Sequence, residues 1–536
     1  MTGTEQKRAH RGMNGLSKLT HNQGGPLIRM KPHSTIPENP FVDAEQHFAA
    51  EIGWLCSAES AALPHSVLEE RLQRSGWELY RQLLQAHLNL RAQREKATAP
   101  ASMTGVDGVI RSHKRGTSRS LATLFGAVTV KRLGFAAPGQ ARLHPQDAAL
   151  QLPPQRYSYP LQRLVAKAAA GNAYSQVVDD IASRTAGHVP KRQAEQVVQQ
   201  AAADFEAFYS QRPVPQVKGT DLLVLSFDSK GVPMRREDLR PDTRKDAEKR
   251  RYKLSKRLSR GEKRGFKRMA QVATVYTIAP FVRTPADIVR DLWSDDPSPV
   301  RPKPQHKRVW ASLTQSPEQV IAAAFDEAQQ RDPEHHQQWV VLTDGETHQL
   351  ERIQAEIQRR QVTVTWVLDV IHVLEYLWRA AWVFYPEGKA DAQDWVSHQL
   401  RRILQGGCRV VSAEIRTLAT RRRLETAARK PVDVCARYLR QNANLLKYAQ
   451  ALTVGLPIAT GVIEGACRYL VKDRLEVTGA RWRLAGAEAV LRLRALLASG
   501  DFDAYWQFHL MQEFQRHHAC HYPITPERQP DLARVA

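Results

Sequence analysis

The chain lacks the long apolar runs and the paired cysteines that mark several classes of protein. No stretch of about 18 apolar residues occurs, and the first residues are polar and basic, without the apolar segment of a signal peptide. The 536 residues include five cysteines, and none of them forms a CxxC pair. These absences argue against a membrane-spanning protein and a disulfide scaffold, and they favour a reducing cytoplasm. No internal repeat is evident.

Acidic residues are also scarce in comparison with basic ones. The chain has 78 Lys and Arg against 55 Asp and Glu, a formal charge of +23. Such an excess describes the partners of a protein rather than its fold, and it favours a polyanion such as nucleic acid. An anionic membrane surface is the competing partner, but no amphipathic anchor is present. We therefore expect nucleic acid as the partner and no membrane.

The spacing of apolar residues divides the chain into six parts. The parts are a disordered basic arm (1–42), a mainly helical region with a β-hairpin over 120–135 (43–215), an α/β region (216–369), a helical insertion (370–455), a further helical part (456–516) and a polar tail (517–536). In the α/β region we predict four strands and two helices. The strands are 222–227, 270–278, 339–342 and 362–368, and the helices are about 316–331 and 347–359. This order indicates a mixed α/β layer.

One segment of the N-terminal region has the pattern of a helix-turn-helix. We predict a helix over 174–183, a turn at 185–187, and a second helix from 190 through 205. Lys191 and Arg192 lie at the start of the second helix, as expected for a helix that enters a DNA groove. Any helical hairpin would show the same pattern, and the basic composition of the chain is what favours the DNA-binding interpretation.

Three carboxylates carry the chemical pattern of the sequence. Asp228 ends the apolar strand of LLVLSFDSKG, Asp344 ends that of WVVLTDGETHQL, and Glu464 follows a helix start near Gly461 in ATGVIEGACRYLVKDR. Carboxylates that face each other repel unless a cation lies between them, and oxygen ligands suit Mg²⁺ or Mn²⁺. Two such ions about 4 Å apart hold both the attacking and the leaving oxygen of a phosphodiester. Asp-Gly after a strand is also a common turn.

Several longer stretches carry a resemblance to a known family. They are DSKGVPMRREDLRPDTRKDAEKRRYKLSKRLSRGEKRGFKRMAQVATVYTIAP, KRVWASL, WVVLTDGETHQLERI, VTWVLDVIHVLEYLWRAAW and LPIATGVIEGACRYLVKDRLEVTGARW, within about 120–515. The chain resembles the ISKra group of bacterial insertion-sequence transposases, in the DDE superfamily. The resemblance implies an RNase H-like core whose catalytic triad, Asp228, Asp344 and Glu464, binds two Mg²⁺ or Mn²⁺ ions. It also implies that the helical insertion precedes the glutamate.

The reaction that the resemblance implies is metal-dependent hydrolysis at transposon ends, followed by transfer of the 3′-hydroxyl strand into target DNA. The implied partners are double-stranded DNA, as terminal inverted repeats and target, and a second copy in a homodimer or higher synaptic complex. Two alternatives stay open: a non-catalytic DNA-binding regulator derived from a transposase, and an RNase H-like nuclease that cleaves without joining.

Two further positions are compared with related transposases. Ser229 stands where the group has glycine, and it would strain the turn if that position needs a positive φ. Asp369 and His372 form DVIH after the fourth strand, and related Mutator-like transposases have a similar pair. By resemblance these two residues support the site, with Asp369 as an alternative second metal ligand. An N-cap at Asp369 with a packed His372 is equally compatible with the sequence.

Basic residues near the carboxylates are candidates for contacting DNA. Lys230, Arg235 and Arg236 follow the first aspartate, and residues 235–268 contain 16 Lys or Arg against 6 Asp or Glu. Such a run also occurs in solvated, salt-bridged helices, but its imbalance favours a DNA track. After Glu464 come Arg474 and Arg481, candidates for phosphate contacts, and Trp482, for which a core position is favoured over base stacking.

Overall fold

The computed structural model describes residues 39–215, 219–249, 267–293, 299–477 and 479–522. The predicted basic arm therefore lies outside the described residues as far as residue 38, as do residues 250–266 of the basic run and the tail from residue 523. Within the described ranges, every helix is too short or too polar to cross a membrane.

The N-terminal region is mainly helical and contains one long β-hairpin. Its elements are α1 (Val42–Leu55), α2 (Ala58–Ala61), α3 (His65–Thr98), β1 (Met103–Thr104), β2 (Ile110–Arg111), β3 (His113–Thr123), β4 (Gly126–Ala136), α4 (Pro145–Ala149), α5 (Tyr159–Gly171), α6 (Tyr174–Arg184), α7 (Lys191–Ala201) and α8 (Phe205–Gln211). The predicted hairpin is confirmed, with longer strands than expected. The predicted helix pair is confirmed as α6 and α7, but α7 ends four residues early and a separate helix follows.

The α/β region supplies a sheet and the helices that cover it. Its elements are β5 (Leu222–Pro233), a 3₁₀ turn (Arg236–Asp238), α9 (Pro241–Lys249), β6 (Lys267–Ile278), α10 (Pro285–Trp293), β7 (Gln305–Ser312), α11 (Pro317–Arg331), β8 (Trp339–Thr343), α12 (Thr347–Arg360) and β9 (Thr365–Leu368). All four predicted strands and both helices are confirmed. Strand β7 was not predicted, because its first half is charged and its apolar half does not alternate.

The described strands β5 to β9 form one mixed sheet in the order β7-β6-β5-β8-β9. Strand β6 is antiparallel to β5 and β7, whereas β5, β8 and β9 run parallel to one another. The carboxyl ends of these three parallel strands therefore lie side by side at one edge of the sheet.

The described residues from Val370 to Tyr522 are mainly helical, and the helices over 370–455 agree with the predicted helical segment. The elements are α13 (Val370–Phe384), α14 (Ala390–Leu404), α15 (Cys408–Arg421), α16 (Thr426–Gln441), α17 (Tyr448–Thr453), α18 (Gly461–Ala466), a π-helical turn (Cys467–Lys472), α19 (Asp473–Leu475), α20 (Leu484–Ser499), α21 (Phe502–Phe514) and a second π-helical turn (Gln515–Ala519).

Both faces of the sheet are buried, and successive residues of β5 belong to different cores. Leu223 and Leu225 pack in a core with α5, α7, α11 and α20, whereas Leu222 and Val224 pack against the helical insertion. Such two-sided burial explains why β5 reads as a continuous apolar run. Each fully buried leucine contributes about 1.5–3 kcal/mol by leaving water. The strand ends are thereby held between two packed layers.

Candidate functional site

The register of the sheet aligns the first two predicted aspartates. Strands β5 and β8 are paired in parallel as far as Ser226 opposite Leu342. Asp344 directly follows β8, and extension of the same register by two residues brings Asp228 level with Asp344. Alternate residues of a strand face the same side of the sheet. Asp228 and Asp344 therefore face the same side as the pair Ser226 and Leu342, which lies two residues before them. The sequence pattern therefore predicted a real juxtaposition.

Asp369 continues this row on the third parallel strand. Strands β8 and β9 end with Thr343 paired to Leu368, so the next residues in register are Asp344 and Asp369. Asp344 is followed by Gly345, whose φ of +87° and close approach to the Leu368 side chain exclude a Cβ atom. The Asp-Gly turn is thus dictated by packing as well as by backbone conformation.

The carboxylate of Asp369 is completely buried and is surrounded by donors. One oxygen accepts from the backbone N–H groups of Ile371 and Thr460, both at 3.1 Å, and the other accepts from the Thr460 hydroxyl at 2.6 Å and lies 3.1 Å from Nδ1 of His372. Burial acts to raise the pKa of Asp369, but the hydrogen bonds from His372 and Thr460 outweigh it and lower the pKa. Asp369 is the N-cap of α13, and it also holds His372 and Thr460 beside the other carboxylates. Its occupied oxygens argue against a role as metal ligand.

His372 links Asp369 to Asp344. Its Nδ1 faces Asp369, while its Nε2 lies 3.9 Å from Oδ2 of Asp344. The hydrogen bond to Asp369 raises the pKa of His372 to about 9, although burial opposes this shift. The side chain is one-third exposed rather than fully packed. At neutral pH it is therefore an imidazolium between two aspartates.

Glu464 approaches the same group from helix α18. The Thr460 hydroxyl, at the start of that helix, lies 3.2 Å from Oε1 of Glu464, and Asp369, His372 and Glu464 each have an atom within 4.8 Å of the others. Burial raises the pKa of Glu464, and the negative charge of Asp369 raises it further. Thr460, which sequence reasoning missed, therefore joins the buried aspartate to the glutamate.

Cys467 connects the same helical segment to Asp228. Its thiol donates to Oδ2 of Asp228 at 3.1 Å, and the backbone N–H of Ser229 donates to Oδ1 at 2.6 Å. Burial raises the pKa of Cys467, so the neutral thiol persists as a donor. Ser229 itself lies within β5, paired with Gln271, and its φ is not positive. The strain considered for this serine is thus absent, while Cys467 is a second contact that the sequence pattern did not reveal.

Carboxylate oxygens, such as those of Asp228, Asp344 and Glu464, are the ligand type that a hard divalent cation such as Mg²⁺ or Mn²⁺ prefers. Among the described residues, the group whose ligand atoms all lie within 4.8 Å of one another is Asp369, His372 and Glu464. Burial raises the pKa of Asp344, and the negative charges of Asp228 and Glu346 add to this, although the hydrogen bond from the Glu346 backbone N–H and the charge of His372 oppose it. Raised pKa values at Asp344 and Glu464 mean that the protein supplies less positive charge than these carboxylates need. A bound cation would supply that charge.

The helical insertion holds two of the strand ends. The Tyr438 hydroxyl on α16 donates to the backbone carbonyl of Asp344, and the Tyr448 hydroxyl on α17 donates to that of Leu368, both at 2.9 Å. Sequence reasoning missed both tyrosines, because the contacts join residues far apart in the chain. The insertion therefore fixes the backbone from which Asp344 and Asp369 project.

The predicted DNA-contacting residues fall into separate places. Arg235 and Arg481 are exposed and lie on neighbouring segments, because the Arg235 N–H donates to the carbonyl of Trp482 at 2.9 Å. Arg236 is also exposed, and Lys230 is partly so. These residues form a basic surface where β5 ends.

The remaining candidates for DNA contact differ in exposure to solvent. Lys191 and Arg192 are exposed on the first turn of α7. The prediction for Arg474 is wrong: the residue is 4% exposed and its guanidinium packs on the rings of Tyr174 and Trp482. Trp482 is buried, so its predicted core position is confirmed.

No protein-family model matches the chain, and no curated protein is significantly similar to it. The resemblance to a transposase group accordingly stays a prediction. What the chain does has to be inferred from the row of carboxylates and the charge around it.

Proposed function

We propose that the chain is a DNA transposase that hydrolyses DNA at transposon ends and transfers the 3′-hydroxyl strand into target DNA, with Mg²⁺ or Mn²⁺ as cofactor. One observation carries the proposal: Asp228 and Asp344 are level on neighbouring parallel strands, and the helical segment that bears Glu464 contacts this row through Thr460 and Cys467. This gathering of acidic groups from distant parts of the chain is what a two-ion phosphodiester site requires.

The topology supports an RNase H-like core. That fold has three antiparallel strands followed by two strands parallel to the first, and β5 to β9 follow this order. The helical insertion then lies between the last strand and the helix with the glutamate. A fold likeness leaves the function open, so the site has to carry the argument.

Asp228, Asp344 and Glu464 would hold the metal ions. When bound, such ions supply an activated water or 3′-hydroxyl and stabilise the leaving oxygen. Nε2 of the His372 imidazolium lies 3.9 Å from Oδ2 of Asp344, so its charge orients that carboxylate. The hydrogen bonds to Asp369 fix His372 and the start of α18, so the surroundings of Asp344 and Glu464 are ordered before DNA binds, while the Cys467 thiol and the Ser229 N–H donate to Asp228.

Charge on the surface favours DNA as substrate. Exposed Arg235, Arg236 and Arg481 lie where β5 ends, and exposed Lys191 and Arg192 begin α7. Cationic side chains bind the phosphate backbone and release its counterions. These groups would position DNA, whereas the carboxylates would act on it.

The test is a strand-cleavage and strand-transfer assay. The substrates are duplexes that carry the flanks of the gene as candidate transposon ends, with Mg²⁺, Mn²⁺ or EDTA. We expect metal-dependent nicking and joined products, and a loss of at least about 1,000-fold in Asp344→Asn and Glu464→Gln. Glu334→Gln, at a glutamate whose side chain is 75% exposed, is the matched control and should retain full activity.

The outcomes separate the alternatives. Cleavage without joining would identify a nuclease. DNA binding without metal-dependent cleavage by the wild-type chain would identify a regulator and overturn the proposal. In Asp344→Asn and Glu464→Gln, DNA affinity should stay within about threefold of wild type, because neither substitution removes a cationic side chain that would contact DNA.

A further inference from the structure

Charge is distributed unevenly along the helical insertion. Residues 370–400 contain two Lys or Arg against four Asp or Glu, whereas residues 401–447 contain 12 against three. The second part therefore has a formal charge of +9, in a chain whose total is +23. Ten of its 12 basic side chains are exposed, so the excess is available to a partner.

Helices α15 and α16 lie in this part and pack side by side. The Ser412 hydroxyl of α15 donates to the Ala436 carbonyl of α16 at 2.8 Å, and the Arg416 guanidinium lies 3.4 Å from Asp433. Later residues of α15 thus contact earlier residues of α16, so the helices are antiparallel. These contacts fix which side of each helix faces the other.

Six basic side chains lie on one side of this helix pair. Each helical residue turns by about 100°, and in an antiparallel pair the same rotation from the contact line leads to the same side. The basic residues within about 120° of Ser412 or Ala436 in that sense form what we call the α15–α16 basic face: Arg409, Arg416, Arg429, Lys430, Arg437 and Arg440. All but Arg429 are exposed.

One acidic side chain of these two helices, Asp433, lies on the same side. It pairs with Arg416 at 3.4 Å and with Arg429 at 3.0 Å. Lys430, Arg437 and Arg440 form no ion pair with any residue that the structure describes. In a salt-bridged helix such charges would balance, whereas this face keeps six basic side chains against one acidic side chain.

The α15–α16 basic face adjoins the candidate site through α16. Tyr438, whose hydroxyl donates to the Asp344 carbonyl at 2.9 Å, directly follows Arg437, so the two side chains diverge by about 100° around the helix. A Cβ added at Gly345 would meet the Asn442 side chain at 3.5 Å. The C-terminal half of α16 therefore contacts the Asp344 turn while its basic side faces solvent. A polyanion on that side would lie next to the carboxylates.

The basic face and helix α7 lie on opposite sides of the sheet. Helix α7 packs in the core that contains Leu223 and Leu225, whereas the insertion packs against Leu222 and Val224. The exposed cations at the start of α7 and those of the basic face are therefore separated by the sheet, at whose edge the carboxylates lie. A reaction that joins two duplexes needs a surface for each of them.

We propose that the α15–α16 basic face binds the target duplex through its phosphates. The inference rests on the proposed function, because joining is what requires a second duplex. A transposon end has to be read by sequence, which suits the helix pair of α6 and α7. A row of exposed cations instead binds phosphates of any sequence, as a target surface does.

The test variant is Lys430→Gln/Arg437→Gln/Arg440→Gln in the full chain, which removes the three cations without ion pairs. Binding to a duplex without transposon sequence is measured between about 0.1 and 0.4 M NaCl, and the slope of log affinity against log salt should fall by about 2.7. Joining of a duplex with a free 3′-hydroxyl to a plasmid should fall at least about 10-fold. Nicking of an uncut end should stay within about twofold of wild type, because the carboxylates are unchanged.

The matched control is Lys389→Gln/Arg401→Gln/Arg421→Gln, which removes three exposed cations of the insertion outside the basic face. It should keep the wild-type salt slope and joining rate, and circular dichroism should be unchanged in both variants. An unchanged slope in the test variant, or equal losses in the control, would overturn the proposal. Equal losses of nicking and joining would also overturn it, because the face would then hold the transposon end. A wild-type chain that neither nicks nor joins would overturn the proposed function, while the salt slope would still decide whether the face binds DNA.

Discussion

Glu327 is buried and Asp344 of the candidate site is partly buried, whereas Glu464 is exposed, and the neighbours of Glu327 differ in charge from those of the two site carboxylates. Glu327 contacts Arg212 and Arg308 at 2.5 Å and Arg331 at 2.6 Å. Burial acts to raise its pKa, but the three guanidinium charges outweigh burial and hold the pKa at about 2. In the candidate site, burial and like charges instead raise the pKa values of Asp344 and Glu464.

The difference distinguishes carboxylates that hold the fold together from carboxylates that await a partner. Glu327 obtains its positive charge from the chain itself, so its ionised form is stabilised as soon as the protein folds. Asp344 and Glu464 have His372 as the nearby basic side chain within the described ranges, and that cation is shared with Asp369. A site of this kind costs stability until an external cation binds.

The largest expected effect is on the fold. Glu327→Gln should lower the free energy of unfolding by about 3–5 kcal/mol, because three buried guanidinium groups lose their shared counter-ion. Urea denaturation at neutral pH measures this. The exposed Glu334→Gln serves as control and should differ from wild type by less than about 0.5 kcal/mol. A loss below about 1 kcal/mol in Glu327→Gln would mean that the arginines find other partners.

The same glutamate predicts how stability depends on pH. Its folded pKa of about 2 lies below the ordinary value of 4.5, so its contribution is fully present above pH 4.5 and is lost as pH falls toward 2. The gap in unfolding free energy between wild type and Glu327→Gln should shrink by about 3 kcal/mol across that window. Urea titrations at pH 7, 5, 3 and 2 would show it, and a constant gap would contradict the assignment.

The next effect comes from adding metal. At a Mg²⁺ or Mn²⁺ concentration of about 100 times Kd, the wild-type chain should gain about 2.7 kcal/mol of stability, because the ion binds the folded state. Asp344→Asn should gain little. Thermal unfolding with and without metal, using Ca²⁺-free buffer, gives the comparison. Equal stabilisation of both proteins would place the ion elsewhere.

The smallest effect has the opposite sign. Without metal, Asp344→Asn should raise the free energy of unfolding by about 1 kcal/mol, because it removes a carboxylate whose charged form is disfavoured by burial and by Asp228. Denaturation in EDTA measures this gain. A destabilised variant would show that the ionised carboxylate already has sufficient partners in the chain.

Much of the carboxylate row could be predicted from the sequence, because it depends on local pattern. An apolar run followed by Asp and a turn residue predicts a strand end, and this holds for Asp228 and Asp344. The pairing of β5, β8 and β9 that places these strand ends side by side could not be predicted from the sequence, and it is seen in the structure of the sheet. Strand β7 was missed because its charged start, Gln305 to Arg308, hides an edge strand.

Contacts between distant segments could not be predicted. Thr460 and Cys467 reach Asp369 and Asp228 across 91 and 239 positions of the chain. Arg474 was wrongly assigned to the surface because its burial depends on Tyr174, which lies in another region. A single sequence gives the chemical type of each side chain, but its neighbours are set by tertiary packing.

The contact between Asp369 and Thr460 has a consequence for how the length of the helical insertion can change during evolution. It joins Asp369, which directly precedes the helical insertion, to Thr460, which lies five residues after its end, and the Val370 N–H also donates to the Ile458 carbonyl at 2.9 Å. The insertion thus departs and returns at a single point, as an appended module does when its two ends are adjacent. Its length can grow or shrink over generations while the glutamate helix keeps its anchor.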